Sequence, residues 1–194
     1  ISFSIYAQWS IVDVGEAFLG GLQNTDYRIS GTASYAWNNQ THVRFSLFHQ
    51  SSHLGDDYII RNELTKPALR TLNYEQFDVN FSKRWGPWRG YVGAGFNVSP
   101  NTVRGRAAFQ GGYEYKKSIK NHPELATVIG GHTTLYEQND YAPNIRLVLG
   151  FEIGGRTPSP FMLLFSAYIG HLPYSTLEYQ KVRLLGFSLI IPIP

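Results

Sequence analysis

The sequence predicts an all-β chain: a transmembrane antiparallel up-and-down β-barrel of about ten strands, with both termini on the periplasmic side. Three observations carry that expectation. Apolar and polar residues alternate with a period of two along most of the chain. Turn residues punctuate the pattern at short, regular intervals. The two longest connections, 12–26 and 52–70, both follow odd-numbered strands and therefore share one end, as the outer loops of membrane barrels do.

Composition agrees. Charged residues are 16% of the 194, below the usual quarter or so, and aromatics are 15%. There are 19 glycines and no Cys, which excludes disulfides, thiolate chemistry and Cys-based zinc sites. The formal charge of +3 comes without a long basic run, so no nucleic-acid partner is expected. No apolar run reaches about 18 residues, so no transmembrane helix is expected. The chain starts at Ile1 without a charged-then-apolar leader and reads as a mature or truncated single domain, residues 1–194.

The elements follow in order. Ile1, Phe3, Ile5, Ala7, Trp9 and Ile11 alternate with polar residues, and a Gly-rich loop is expected over 12–26. A second strand is expected over 27–37, a tight turn at 38–41, and a third strand over 42–51. The loop after it runs to about Arg70, with 58–64 able to prolong the hairpin. Further strands are expected at 72–83, 88–98, 103–116, 125–136, 144–154, 161–170 and 179–191. Short turns at 85–87, 99–102, 118–123, 139–143 and 156–160, and a loop at 172–178, separate them. No segment shows a helical period.

On the faces opposite the apolar band lie Arg28, Arg44, Asp78, Arg89, Arg104, Arg106, Glu114, Arg146 and Glu152. In a barrel these meet in the lumen, where leaving them unpaired costs several kcal/mol each. They either fill a narrow lumen or line an anion path. Arg44, Arg104, Arg106 and Arg146 are expected to point inward and to find Asp78, Glu114, Glu152 or hydroxyl partners. His132, in Gly130-Gly131-His132, is expected to pack or hydrogen-bond inside.

The stretch VRFSLFHQSSHLGDD, residues 43–57, carries the chemistry. Val43, Phe45 and Leu47 set the apolar face, and continuing the alternation puts His49 and Ser51 on it, at the far end of the strand.

The segment FHQSSHLGDDYI resembles the signature of domain-of-unknown-function family 1207, a bacterial outer-membrane family. YEQNDYAPNIRLVLGFEIG and PYSTLEYQKVRLLGFSLIIP resemble that family's closing strands. The resemblance implies an outer-membrane location and supplies no activity. A shorter likeness, the His-x-Ser triplet, is to outer-membrane phospholipase A and the lipid A deacylases. It implies that His49 is a base and Ser51 a nucleophile, on the outside of the barrel near the outer leaflet.

The chemistry is coherent. Serine needs a base to take its proton, and imidazole does so near neutral pH. Residues i and i+2 of a strand share a face about 7 Å apart at Cα, close enough for side chains to lean together. A third group must fix the imidazole tautomer. The returning strand offers Glu75, the preferred candidate, and Asn73; Glu63 is the fallback if the hairpin extends. An oxyanion donor is expected at Gly55 or another loop amide. Asp56 and Asp57, with His53, could hold Ca²⁺ beside lipid headgroup oxygens, or form a solvated turn.

Two functions compete. One is an outer-leaflet lipid acyl hydrolase acting on membrane lipids. The other is a non-catalytic barrel, either a narrow channel or a structural subunit of an envelope protein assembly, with His49 and Ser51 as interfacial residues. A protease built on Asp56, Asp57 and His53 is a distant third.

Overall fold

The computed structural model describes residues 2–14, 18–64, 71–99, 104–154, 160–172 and 175–191. Its strands are β1 (Ser2–Val14), β2 (Phe18–Ala36), β3 (Thr41–Leu54), β4 (Thr71–Trp85), β5 (Trp88–Asn97), β6 (Ala107–Ile119), β7 (His122–Tyr136), β8 (Asn144–Ile153), β9 (Phe161–His171) and β10 (Lys181–Ile190). Each pairs antiparallel with its neighbour in sequence, from β1 through to β10. The sheet curls: residues of β2, β3, β4, β7, β8 and β9 line one cavity on its concave face.

The alternation read from the sequence decides the two faces. In β3, Phe45, Leu47 and His49 are exposed on the convex side, while Phe48, Gln50 and Ser52 are buried on the concave side. The convex face carries Phe77, Phe81, Val92, Phe96, Phe109, Leu147, Leu149, Phe151, Leu163 and Phe165, all substantially exposed. The concave face buries Asn24, Asp26, Gln76, Asn80, Ser82, Asn144 and Glu152. The usual arrangement of a water-soluble protein is thus inverted. The buried apolar cluster is small: Phe48, Leu72 and Tyr74, with Phe48 and Tyr74 edge to face at 5.9 Å.

Three expectations need correction. Residues 12–26 are largely strand, because Val12, Asp13 and Val14 pair with Gly20, Leu19 and Phe18 beyond a register shift at Ser10/Val12. Cross-strand backbone hydrogen bonds outweigh the turn-forming composition there. Residues 56–61 form a short helix, α1, rather than prolonging the hairpin. Its Asp57 and Arg61 pack against Gly21, whose φ of +132° suits only glycine. The sixth strand begins at Ala107 rather than at 103, which leaves Arg104 and Arg106 in the β5–β6 connection. The turns expected at 99–102 and 156–160 lie, but for Ser99 and Pro160, outside the described residues.

The arginines find other partners than the acids expected. Arg28 donates through Nε and a terminal nitrogen to Gln50 Oε1, at 3.0 and 2.6 Å, and its guanidinium lies 4.0 Å from the Phe48 ring centre. Arg104 pairs with Glu178 at 2.9 Å, with side-chain exposures of 6% and 13%. It is stacked over Tyr74 and Tyr136, at 4.4 and 4.3 Å. Arg44 and Arg146 face concave-side cavities. Arg106 is exposed, and it is its backbone N–H that is engaged, by Glu137 at 2.6 Å. Glu152 takes Lys116 at 2.5 Å and Asp78 takes Gln76 at 2.7 Å.

Candidate active site on the convex face of β3

The β3–β4 register sets the site. His49 pairs directly with Glu75, Ser51 with Asn73, and His53 with Thr71. On the other side, β2 places Ile29 beside His49 and Tyr27 beside Ser51. The row His49, Ser51, His53 therefore runs up one face of β3, above Phe45 and Leu47, with Phe45 stacked on Phe77 at 6.4 Å.

His49 Nδ1 lies 2.6 Å from Glu75 Oε1, with both side chains nearly half exposed. The carboxylate that the sequence favoured thus sits where a tautomer-fixing group must sit, and the other ring nitrogen, Nε2, is left for chemistry. Ser51 Oγ hydrogen-bonds to His53 Nε2 at 2.8 Å. The expected Ser51–His49 contact is replaced by one to the imidazole two residues on. Period-two alternation puts His53 on the same face as surely as His49, so the sequence carried that signal. A serine side chain leans either way along its strand with little energetic preference.

The remaining candidates are placed as follows. Asn73 is exposed, opposite Ser51, and the orienting position falls to Glu75. Glu63 sits past α1 in a left-handed turn with φ of 50°, exposed, and is not the residue that holds His49. Gly55 cannot serve as an oxyanion donor, because its N–H is given to the Gln23 carbonyl at 2.9 Å. Asp57 accepts the Leu22 N–H at 2.7 Å and so ties α1 to β2. Asp56 and Asp57 occupy the first turn of α1. Among the described residues no three His, Asp or Glu side chains group as metal ligands, so the Ca²⁺ expectation has no built cage.

The sequence profile of a family described as protein of unknown function (DUF1207) matches residues 6–187. The chain belongs to that family. The DUF1207 match takes in β3, β4 and the whole site. No curated protein and no solved structure shows significant similarity to the chain. The likeness to the phospholipase and deacylases therefore remains one of the His-x-Ser triplet alone.

A second polar centre, which sequence reasoning missed, lies at the loop end. Glu178 accepts from Arg104 of the β5–β6 connection, and from Gln138 and Asn139 of the β7–β8 connection, each at 2.9 Å. Burial opposes the charge on Arg104, but Tyr74, Glu178 and Tyr136 outweigh it and hold its pKa above the ordinary value. Thr176 hydrogen-bonds to Asn24 of β2. His132 lies inside, as expected, with Tyr91 Oη 2.6 Å from its Nδ1.

Proposed function

We propose that this DUF1207 chain is a bacterial outer-membrane β-barrel that hydrolyses acyl ester bonds of lipids in the outer leaflet around it. The observation that carries the reading is the row on the convex face of β3: a serine hydroxyl bound to one imidazole, with a carboxylate-held imidazole two residues before it. Apolar side chains surround that row, so an acyl chain could lie along the wall beside it.

The membrane reading is supported by the inverted distribution of polar and apolar side chains. Closure of the sheet is supported by the contact of the β9–β10 connection with β2, β3 and β4. An even strand count, with the longer connections at one end, is the arrangement in which both termini of a membrane barrel share the periplasmic face.

In the proposed reaction Ser51 Oγ turns from His53 to His49, whose Nε2 takes the proton as Oγ attacks the acyl carbonyl carbon. The tetrahedral intermediate collapses, and the imidazolium returns the proton to the departing alcohol oxygen. Water, activated by the same nitrogen, then releases the fatty acid. Glu75 fixes the His49 tautomer and stabilises the imidazolium. Asn73, opposite Ser51, is the side-chain amide available to the oxyanion. His53 holds Ser51 in the resting state.

The test is release of fatty acid from mixed micelles of phospholipid or lipid A by detergent-purified protein, with and without Ca²⁺. No acyl hydrolysis on any outer-leaflet lipid would falsify the enzyme reading and leave a non-catalytic barrel.

A further inference from the structure

We propose that the turn end of the lumen is a binding site for a phosphoryl anion, formed by Arg44, Arg84, Arg89 and Asn80. The site is separate from the convex face, and the inference does not depend on the hydrolase reading.

The cavity there has a volume of about 690 Å³, and all four residues line it. Arg84 of β4 and Arg89 of β5 are direct cross-strand partners. Two guanidinium groups opposite each other on one face of a sheet repel and destabilise the pair unless an anion lies between them. Arg44 of β3 pairs with Asn80, which precedes Arg84 by four residues on the same face of β4. The one carboxylate of the lining, Glu114, pairs across from Arg89. No ion pair within 4 Å joins it, or any other acid, to these three arginines among the described residues. Three guanidiniums against one lining carboxylate leave the cavity positive, with Asp78 of the adjoining cavity a further acid that acts on Arg44. The other ionisable side chains that face it are His42, Tyr91 and His132, and Tyr91 and His132 are hydrogen-bonded to each other.

Asn80 supplies the independent observation. It is 7% exposed, and its Oδ1 accepts from Gln110 at 2.8 Å. Its Nδ2 is the buried side-chain atom left without a hydrogen-bond partner among the described residues. A buried donor without an acceptor is costly and rare. The guanidiniums demand an acceptor-only group of more than one negative charge, and Asn80, buried in the cavity wall, has an N–H to give that group once its amide turns toward the cavity. A phosphate monoester or diphosphate meets that demand, since its oxygens take bidentate guanidinium forks and an amide N–H together.

Calorimetric titration of the full chain in detergent at low ionic strength tests the site, with two probes that separate the sources. Inorganic pyrophosphate represents a soluble phosphoryl anion, and dihexanoyl phosphatidic acid a lipid headgroup. Binding of either probe is expected, weakened about tenfold or more in Arg84→Gln/Arg89→Gln, the loss of one charge-assisted contact or more. Asn80→Asp, which keeps the side-chain shape and adds a negative charge, should weaken it at least as much. Heat-modifiable migration in gels confirms that each variant is folded. Binding of pyrophosphate assigns a soluble ligand, and binding of phosphatidic acid alone assigns a lipid. No heat from either probe, or binding unchanged in both folded variants, overturns the proposal.

Discussion

Glu75 of β4 holds the Nδ1 of His49 of β3 at 2.6 Å, across a directly paired position of the sheet. Two strands fix that contact, so its geometry does not depend on a loop. A base oriented by a carboxylate on rigid scaffold is the part of a hydrolase hardest to assemble by chance. In the proposed reaction it separates the two imidazoles by role.

Ser51→Ala should lower acyl ester hydrolysis on the order of a thousandfold, while the folded, heat-modifiable form is retained. His49→Ala should lose about as much, because nucleophile and base act as a unit. His53→Ala should cost only about tenfold, the effect of losing a resting-state partner. Fatty-acid release assays on the three variants decide the assignment. If His53→Ala is the inactive variant and His49→Ala the active one, the base roles are exchanged.

Glu75→Gln keeps the shape and removes the charge. It should reduce kcat by about two to four orders of magnitude, through loss of the imidazolium's partner, with a smaller change in KM. Steady-state kinetics on one lipid substrate in micelles measures both. An unchanged kcat would mean that the His49–Glu75 contact is only structural.

Arg104→Met should destabilise the loop end by about 3–5 kcal/mol, because it leaves Glu178 buried without its cation. Arg104→Met/Glu178→Met should recover much of that loss, since replacing both members of a buried pair is often neutral. Denaturant unfolding in detergent, followed by tryptophan fluorescence, gives the difference. A double variant no more stable than the single would show that Gln138 and Asn139, rather than Glu178, depend on the arginine.

Leu149→Arg tests the membrane reading. Leu149 is 56% exposed on the convex face of β8. On the surface of a water-soluble protein the change would be nearly silent. In a lipid-facing band it should cost about 2–4 kcal/mol near the midplane. Folding yield into lipid vesicles should fall, whereas folding in short-chain detergent should be less affected.

Gly150 leaves no space for a side chain, since a Cβ would meet the Leu163 carbonyl oxygen of β9 at 2.0 Å. Gly150→Ala must push two strands apart, and it should cost about 1–3 kcal/mol of stability, as overpacking does. A lowered midpoint of heat-modifiability would register it.

Much of this fold was legible because a strand has an integer period. Phe45, Leu47, His49 and Ser51 follow one parity, and antiparallel return fixes Glu75 and Asn73 opposite them, so the face and the cross-strand partners follow from counting. The choice of imidazole by Ser51 is a matter of side-chain rotamer, which parity does not constrain. Gly55 looked like a free loop amide, yet its N–H is committed to Gln23, a contact that depends on how far β2 extends. The length of β1 and β2 was itself hidden, because Gly20 and Asn24 read as turn formers while backbone pairing holds them in register on either side of the irregularity. Glu178 lay in an unpatterned connection, and its partners are 39, 40 and 74 residues away in sequence.

The Glu178 cluster also imposes an order of assembly. Every strand pairing among the described residues joins neighbours in the chain, so hairpins can add one after another with short loop closures. The fastening of Arg104, Gln138 and Asn139 cannot occur until the connection after β9 is in place. Until then their side chains have no common acceptor. The arrival of one late carboxylate therefore ties two earlier connections, β5–β6 and β7–β8, to the one that precedes the last strand.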